Sequence, residues 1–309
     1  MTFSARIRSE LCKIPLNNPE LALAECCGMV LFANATRSDK IKITTENSEV
    51  ARRASWLFKG LFGFDFDKKI VPASAVKKYN LILENPERLS VVFDALGISS
   101  DNDVSMRLNA AIVENDSARA AFCRGAFLTG GSVTDPNSSY HLELATSHKA
   151  LSLEVVSLLL ELELPAKTAM RKSNYIIYFK ESESIEDFLT RIGTPLCALE
   201  FMQAKLYKNV RNSVNRKVNC EFANQAKTAD AAAIQLSAIK TIIKHSGIES
   251  LPAKLRDAAE MRLQNPDMSL SELAALTCGQ ISKSGLNHRF SKLIALADEI
   301  GDERTNKQK

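Results

Sequence analysis

The chain repeats itself, and this limits its fold more than any other feature of the sequence. Residues 25–63 (ECCGMVLFANATRSDKIKITTENSEVARRASWLFKGLFG) match residues 122–164 (FCRGAFLTGGSVTDPNSSYHLELATSHKALSLEVVSLLLELEL) in residue type and order. Gly28 aligns with Gly125, and residues 41–45 align as a strand with residues 142–146. The second copy carries four more residues, which fall in the turn-rich segment TDPNSS at 134–139, where insertion is tolerated. A helix follows in each copy: Val50, Ala54, Leu57, Phe58 and Leu61 correspond to Leu151, Val155, Leu158, Leu159 and Leu162. That spacing marks one buried helical face.

An alternating strand comes next, with Leu81 and Leu83 matching Ile177 and Phe179. A last helix pairs Leu89, Val92, Phe93 and Leu96 with Ile185, Phe188, Leu189 and Ile192, and Gly97 and Gly193 read as its left-handed C-caps. Two αββαββα units are therefore expected at about residues 20–98 and 118–195 of a domain spanning 1–204. Each unit alone leaves a sheet with one covered face. Gly28 and Gly125 lack a Cβ and would let the two leading helices approach closely and share a core.

Composition narrows the function classes. With 40 Lys and Arg against 36 Asp and Glu, the net charge of +4 says little, so local clustering matters more. No run of 18 uncharged apolar residues occurs, so no spanning helix is expected. The first residues, MTFSARIRSEL, have no apolar stretch after their charges, so no secretory signal is expected. The seven cysteines form no CxxC and the four histidines no zinc-spaced pair. They read as reduced thiols of a cytoplasmic protein, with neither a structural metal nor a cofactor.

The glycine helices resemble those of the LAGLIDADG homing-endonuclease fold. Arg124-Gly-Ala-Phe-Leu-Thr-Gly-Gly-Ser132 follows its helix pattern closely. The resemblance implies a pair of helices at a pseudo-twofold axis, each delivering a carboxylate to a divalent metal. Those positions fall here on Ala33 and Gly130, neither of which can ligate a hard cation. Leu31 and Leu128 stand where a further acid would be, and Glu25 lies about two turns away from the expected position. The scaffold is expected without the nuclease, so the chain is not expected to be an enzyme.

Across both halves the chain resembles the WhiA family of bacterial regulators, in which a degenerate LAGLIDADG domain precedes a helix-turn-helix. The residues that carry this are 122–133 with 139–143, Asn215–Glu221 with Asn224, Lys227 and Thr228, and the stretches around Leu251-Pro252 and Ile281–Arg289. The resemblance implies a transcription regulator linked to sporulation and cell division, acting on double-stranded DNA of the bacterial nucleoid. It also names a sigma factor and a WhiB-like iron–sulfur protein as partners, although no motif here identifies either. The fold expected is α+β, a duplicated LAGLIDADG-like domain followed by an all-α domain.

Residues 205–217 carry Lys205, Lys208, Arg211, Arg216 and Lys217 and no acid. They read either as a solvated face or as a phosphate-contacting strip within a basic linker at 205–220. An alanine-rich helix is expected from Glu221 to Lys244, with Phe222, Ala226, Ala229, Ala233, Leu236 and Ile243 at 3–4 spacing, ended by Ser246-Gly247. Pro252 opens the next helix, which stops at Asn265-Pro266. Ser269 and Glu272 form a capping-box pattern before a short helix to Leu276, in which Ala274 or Ala275 lets the next helix cross.

After the turn Thr277–Ile281, which is longer than the commonest helix-turn-helix turn, Ser282 can cap a recognition helix. Leu286, Phe290, Leu293 and Ala297 would face inward, leaving Ser282, Lys283, Ser284, Asn287, His288, Arg289 and Lys292 as candidate DNA contacts. Lys and Arg suit guanine edges and Asn suits adenine. The DNA-binding domain is expected over 221–300 and a disordered charged tail over 301–309. Two other functions compete with a sequence-specific regulator: an active endonuclease with relocated acids, and a scaffold for the transcription machinery.

Overall fold

The computed structural model describes residues 1–70, 78–98 and 106–307, with side chains as far as residue 300. Helix α1 (Phe3–Leu11) comes first, then the first repeat: α2 (Pro19–Leu31), β1 (Ala35–Arg37), β2 (Lys40–Thr45), α3 (Ser48–Phe62), β3 (Lys68–Ile70), β4 (Tyr79–Leu83) and α4 (Pro86–Leu96). A 3-10 turn at Ala110–Val113 leads into the second: α5 (Asp116–Gly130), β5 (Gly131–Val133), β6 (Leu142–Thr146), α6 (Lys149–Glu161), β7 (Lys167–Arg171), β8 (Asn174–Phe179) and α7 (Ser182–Ile192). Helices α8 (Pro195–Ser246), α9 (Ala253–Gln264), α10 (Leu270–Leu276) and α11 (Lys283–Lys307) complete the chain. The α+β class and the αββαββα order are those the sequence predicts. None of the described helices is long and apolar enough to cross a membrane.

Both sheets are antiparallel and share one topology, β1-β2-β4-β3 and β5-β6-β8-β7. Register repeats as well. Ile41 pairs with Leu83 and Ile43 with Leu81, and in the second copy Leu142 pairs with Phe179 and Leu144 with Ile177. These eight side chains are buried on the covered face, as a period of two requires. Gly97 and Gly193 close α4 and α7 in the left-handed conformation, at φ 64° and 99°.

At the centre α2 crosses α5, and the two glycines meet backbone to backbone. A Cβ at Gly28 would overlap the Phe122 carbonyl and sit 2.8 Å from the Ala126 nitrogen. One at Gly125 would overlap the Glu25 carbonyl and sit 2.8 Å from the Met29 nitrogen. Helix α2 is buried nearly all round, from Ala24 to Leu31. Cys26, Cys27 and Cys123 lie in this core, and burial pushes their thiols well up from the ordinary value, Cys27 and Cys123 to about 12. They are inert packing residues.

Helix α1, which the sequence reading leaves unassigned, ties the core together. Phe3, Ile7 and Leu11 are buried, and the Ser4 hydroxyl donates to the Val133 carbonyl at 2.8 Å and accepts from the Val133 amide at 2.9 Å. Glu10 accepts from the Leu196 and Cys197 amides at 2.9 and 3.0 Å, capping the start of α8.

The chain divides into two compact units, Met1–Asn209 and Val210 onward. Where the sequence suggests a linker and then a separate helix, α8 is one helix of 52 residues running through this division. Neither Gly nor Pro occurs between Pro195 and Gly247 to break it. Its C-terminal half buries Ala232, Gln235, Ala238, Ile239 and Ile242 instead of the expected face, since Phe222, Ala226, Ala229 and Ala233 are exposed and Leu236 and Ile243 are only partly covered. Alanine contributes little area, so the large Ile239 and Ile242 decide which face is buried. Helix α11 continues to Lys307 where disorder is expected from residue 301, because extending a formed helix costs little per residue; residues 308–309 of that expected tail lie outside the described residues.

Gly125→Leu tests the crossing. Overpacking a backbone contact costs about 1–3 kcal/mol or more, read as a lower urea midpoint. An unchanged midpoint would show that the helices can separate freely.

Candidate nucleic-acid interface

Ala33 and Gly130, the positions for which the resemblance to LAGLIDADG helices implies a carboxylate, stand at the ends of the crossed helices. Ala33 lies beyond the end of α2, and Gly130 is the last residue of α5. A Cβ at Gly130 would stand 2.7 Å from the Ala145 carbonyl oxygen and 3.1 Å from the Phe32 side chain, so an acidic side chain there meets a filled site. Arg8 caps this end: its Nε donates to the Leu128 carbonyl at 3.3 Å and its Nη2 to the Gly131 carbonyl. A guanidinium suits the negative end of a helix.

Glu25, the nearest acid in α2, is fully buried and wholly engaged. Arg53 from α3 forks onto both of its oxygens, with Nη2 to Oε2 at 2.9 Å, and Arg124 from α5 reaches Oε2 at 3.1 Å. Arg53 also donates to the Cys12 and Ile14 carbonyls at 3.1 and 2.8 Å, and Arg124 to the Ile192 carbonyl at 2.8 Å. Glu25 thus joins the two repeats as an ion-paired buried acceptor.

In the second unit, α10 begins with the capping box the sequence predicts. Ser269 Oγ accepts from the Glu272 amide at 3.3 Å, and Glu272 Oε2 accepts from the Ser269 amide at 2.7 Å. The Ser269 amide holds the Glu272 carboxyl below its ordinary value. The Thr277 hydroxyl organises the turn, donating to the Ala274 carbonyl at 2.7 Å and accepting from the Ile281 amide at 3.1 Å. Cys278 and Gly279 take left-handed φ values of 54° and 85°, which turn the chain between the helices.

Ser282 Oγ then accepts from the Gly285 amide at 3.1 Å, capping α11. Leu286, Phe290, Leu293 and Ala297 are buried against α9 and α10, with Leu273 beside them. Ala274, not Ala275, is the small residue at the crossing. Ser282, Lys283, Ser284, Asn287, His288 and Lys292 are exposed, and by helical spacing most share one outer face. Arg289 is half-buried and donates to the Lys254 carbonyl of α9 at 3.1 Å, so it braces the helix pair.

The basic residues of α8 separate into two groups. Lys205 is paired with Glu183 at 2.6 Å and Glu186 at 3.3 Å, and Lys208 donates to the Ser138 carbonyl at 2.8 Å over the Tyr140 ring. The Lys205 contact holds the Glu183 carboxyl down at about 2. Arg211, Arg216 and Lys217 are exposed and form no ion pair among the described residues. Sequence reasoning missed Lys227 and Arg262, which line one cleft with Lys283. The helical spacing of Lys227 was a readable signal, but the place of Arg262 depends on folding.

Residues 119–211 match the family model of the WhiA LAGLIDADG-like domain, and residues 214–297 that of the WhiA C-terminal HTH domain. A Clostridium botulinum protein named probable cell division protein WhiA is 37% identical over 313 residues, covering 97% of this chain and 99% of its own length. A Staphylococcus carnosus protein of the same name is 38% identical over 307 residues, covering 97% and 98%. The crystal structure of full-length WhiA from Thermotoga maritima aligns with a TM-score of 0.59 at 26% identity, covering 97% of this chain and 99% of that one.

Glu25→Ala strands Arg53 and Arg124 in the core, and a charge left without its partner costs about 3–5 kcal/mol. Urea denaturation should show that loss. A loss below about 1 kcal/mol would mean that the carboxylate does not join the repeats.

Proposed function

The chain belongs to the WhiA family, and from that premise we propose that it is a sequence-specific DNA-binding regulator of transcription, tied to cell division and sporulation and without nuclease activity. The observation that carries this reading is the exposed, acid-free first half of α11, held at its start by Ser282 and set on a capped α10. A helix of this kind enters the major groove with its N-terminal residues against base edges. Asn287 is the group suited to adenine, with Ser284 and His288 beside it on the outer face. Arg211, Arg216 and Lys217 hold phosphates in any sequence, and counterions released there make binding steeply salt-dependent. Lys205 and Lys208 contribute less, because their charges already have partners in the first unit. On this reading the protein works at the nucleoid of a bacterial cytoplasm, alongside the transcription machinery, a sigma factor and a WhiB-like protein.

The proposed lack of cleavage is supported by the carbonyl oxygen crowding Gly130, by Ala33, and by the two arginines that occupy Glu25. No acid stands where these helices would present a metal to a phosphodiester.

Supercoiled plasmid and bound-site duplex incubated with the protein in Mg²⁺ or Mn²⁺ should stay intact. Protein-dependent nicking that disappears when a nearby acid is replaced would overturn the nuclease-free reading. Asn287→Ala should cost about 1–3 kcal/mol of preference for the right base. Arg211→Ala and Arg216→Ala should instead weaken specific and scrambled duplexes alike and flatten the salt slope by about 0.9 for each phosphate released. Titration of both duplexes at two salt concentrations separates the two classes. Equal preference in Asn287→Ala and the intact chain would move base reading elsewhere.

A further inference from the structure

The second unit contains a buried cation with no carboxylate paired to it among the described residues. Arg262 is 1% exposed. Its Nε donates to Gln235 Oε1 at 3.0 Å, and its Nη1 reaches the carbonyls of Asn265, Pro266 and Met268 at 3.2, 3.4 and 2.5 Å. The guanidinium also lies over the Phe290 ring, 5.4 Å from its centre. Every partner is neutral, whereas Arg53 and Arg124 share Glu25. A buried charge is costly without an opposite one, and desolvation lowers the Arg262 pKa accordingly.

Arg262 lines a cleft between α8 and the starts of α10 and α11. Lys227 from α8 and Lys283, the first residue of α11, also line it, together with the Ser271 hydroxyl. Lys227, Ser271 and Lys283 are exposed, and neither lysine forms an ion pair among the described residues. Among the described residues no acid lines this cleft. Asp267 and Glu272 line the neighbouring one, where Glu272 is committed to its cap. Three positive charges from three helices therefore converge on one opening.

We propose that this cleft grips a backbone phosphate of bound DNA, with Lys227 and Lys283 closing on it over the fixed charge of Arg262 and Ser271 supplying a neutral donor. The proposal rests on the reading of α11 as the DNA-facing helix. The cleft lies at the N-terminal end of that helix, where a phosphate contact sets register while outer-face residues read bases. It gives Lys283 a phosphate in place of a base edge. It also makes α8 part of the recognition surface, although only its basic strip at 205–217 stands out in the sequence.

The test uses the full chain and its bound-site duplex. Lys227→Ala should flatten the dependence of log K on log salt by about 0.9 and weaken specific and scrambled duplexes alike, and Lys227→Arg should restore the slope. A scan of single methylphosphonates along the site should find one position that weakens the intact chain and weakens Lys227→Ala no further. Inorganic phosphate should leave the melting temperature of the DNA-free chain unchanged at micromolar concentration. A Lys227-dependent rise would assign the cleft to a free anion and overturn the DNA assignment. If the intact chain binds no duplex, the reading of α11 falls and this proposal falls with it. If it binds its site with the same slope with and without Lys227, only this proposal falls.

Discussion

The first unit depends on the contact between two helix backbones at Gly28 and Gly125. Any side chain at either glycine would collide with a carbonyl of the other helix, so α2 and α5 lie closer together than ordinary packing allows. This closeness joins the covered sides of the two sheets into one core, while the alternate strand residues on the other face stay less buried. It also leaves Glu25 out of water at the junction, where it needs Arg53 from its own repeat and Arg124 from the other. The crossing and the ion triad thus constrain each other, one through van der Waals contact and the other through charge.

The same crossing leaves Gly130 at the end of α5 and Ala33 just beyond the end of α2, and the space at Gly130 is already filled. The carbonyl of Ala145 and the ring of Phe32 crowd Gly130, and Arg8 caps the end of α5 with a guanidinium. These are features of a stable junction: neutral or cationic groups satisfy the backbone, and no pair of acids has to be kept apart. On the proposed reading, the chemistry has left the scaffold while the close helix pair remains, because the fold cannot close without it.

Much of this was legible in the sequence because it is periodic. The repeat, the strands beginning near Ile41 and Leu142, the C-caps at Gly97 and Gly193 and the capping box at Ser269 all express local rules with fixed spacing. The rest was less accessible. Helix α1 did carry a pattern, with Phe3, Ile7 and Leu11 on one face, but it precedes the repeat and stands without a copy. The basic, polar stretch after Lys205 resembles a linker in composition, and only the lack of Gly and Pro marked it as the middle of α8. Alanines hid which side of α8 is buried, because their small areas orient a helix weakly. Braces such as Arg289 on Lys254, and the convergence of Lys227, Arg262 and Lys283, join residues far apart in the chain and appear only in the folded domain.

The central claim is that α11 chooses a base sequence. Selection of bound duplexes from a random-sequence pool, by the intact chain and by Asn287→Ala in parallel, tests it most directly. The account predicts one enriched motif for the intact chain and relaxed preference at a single position for the variant. No enriched motif, or the same motif at full strength in Asn287→Ala, would contradict it.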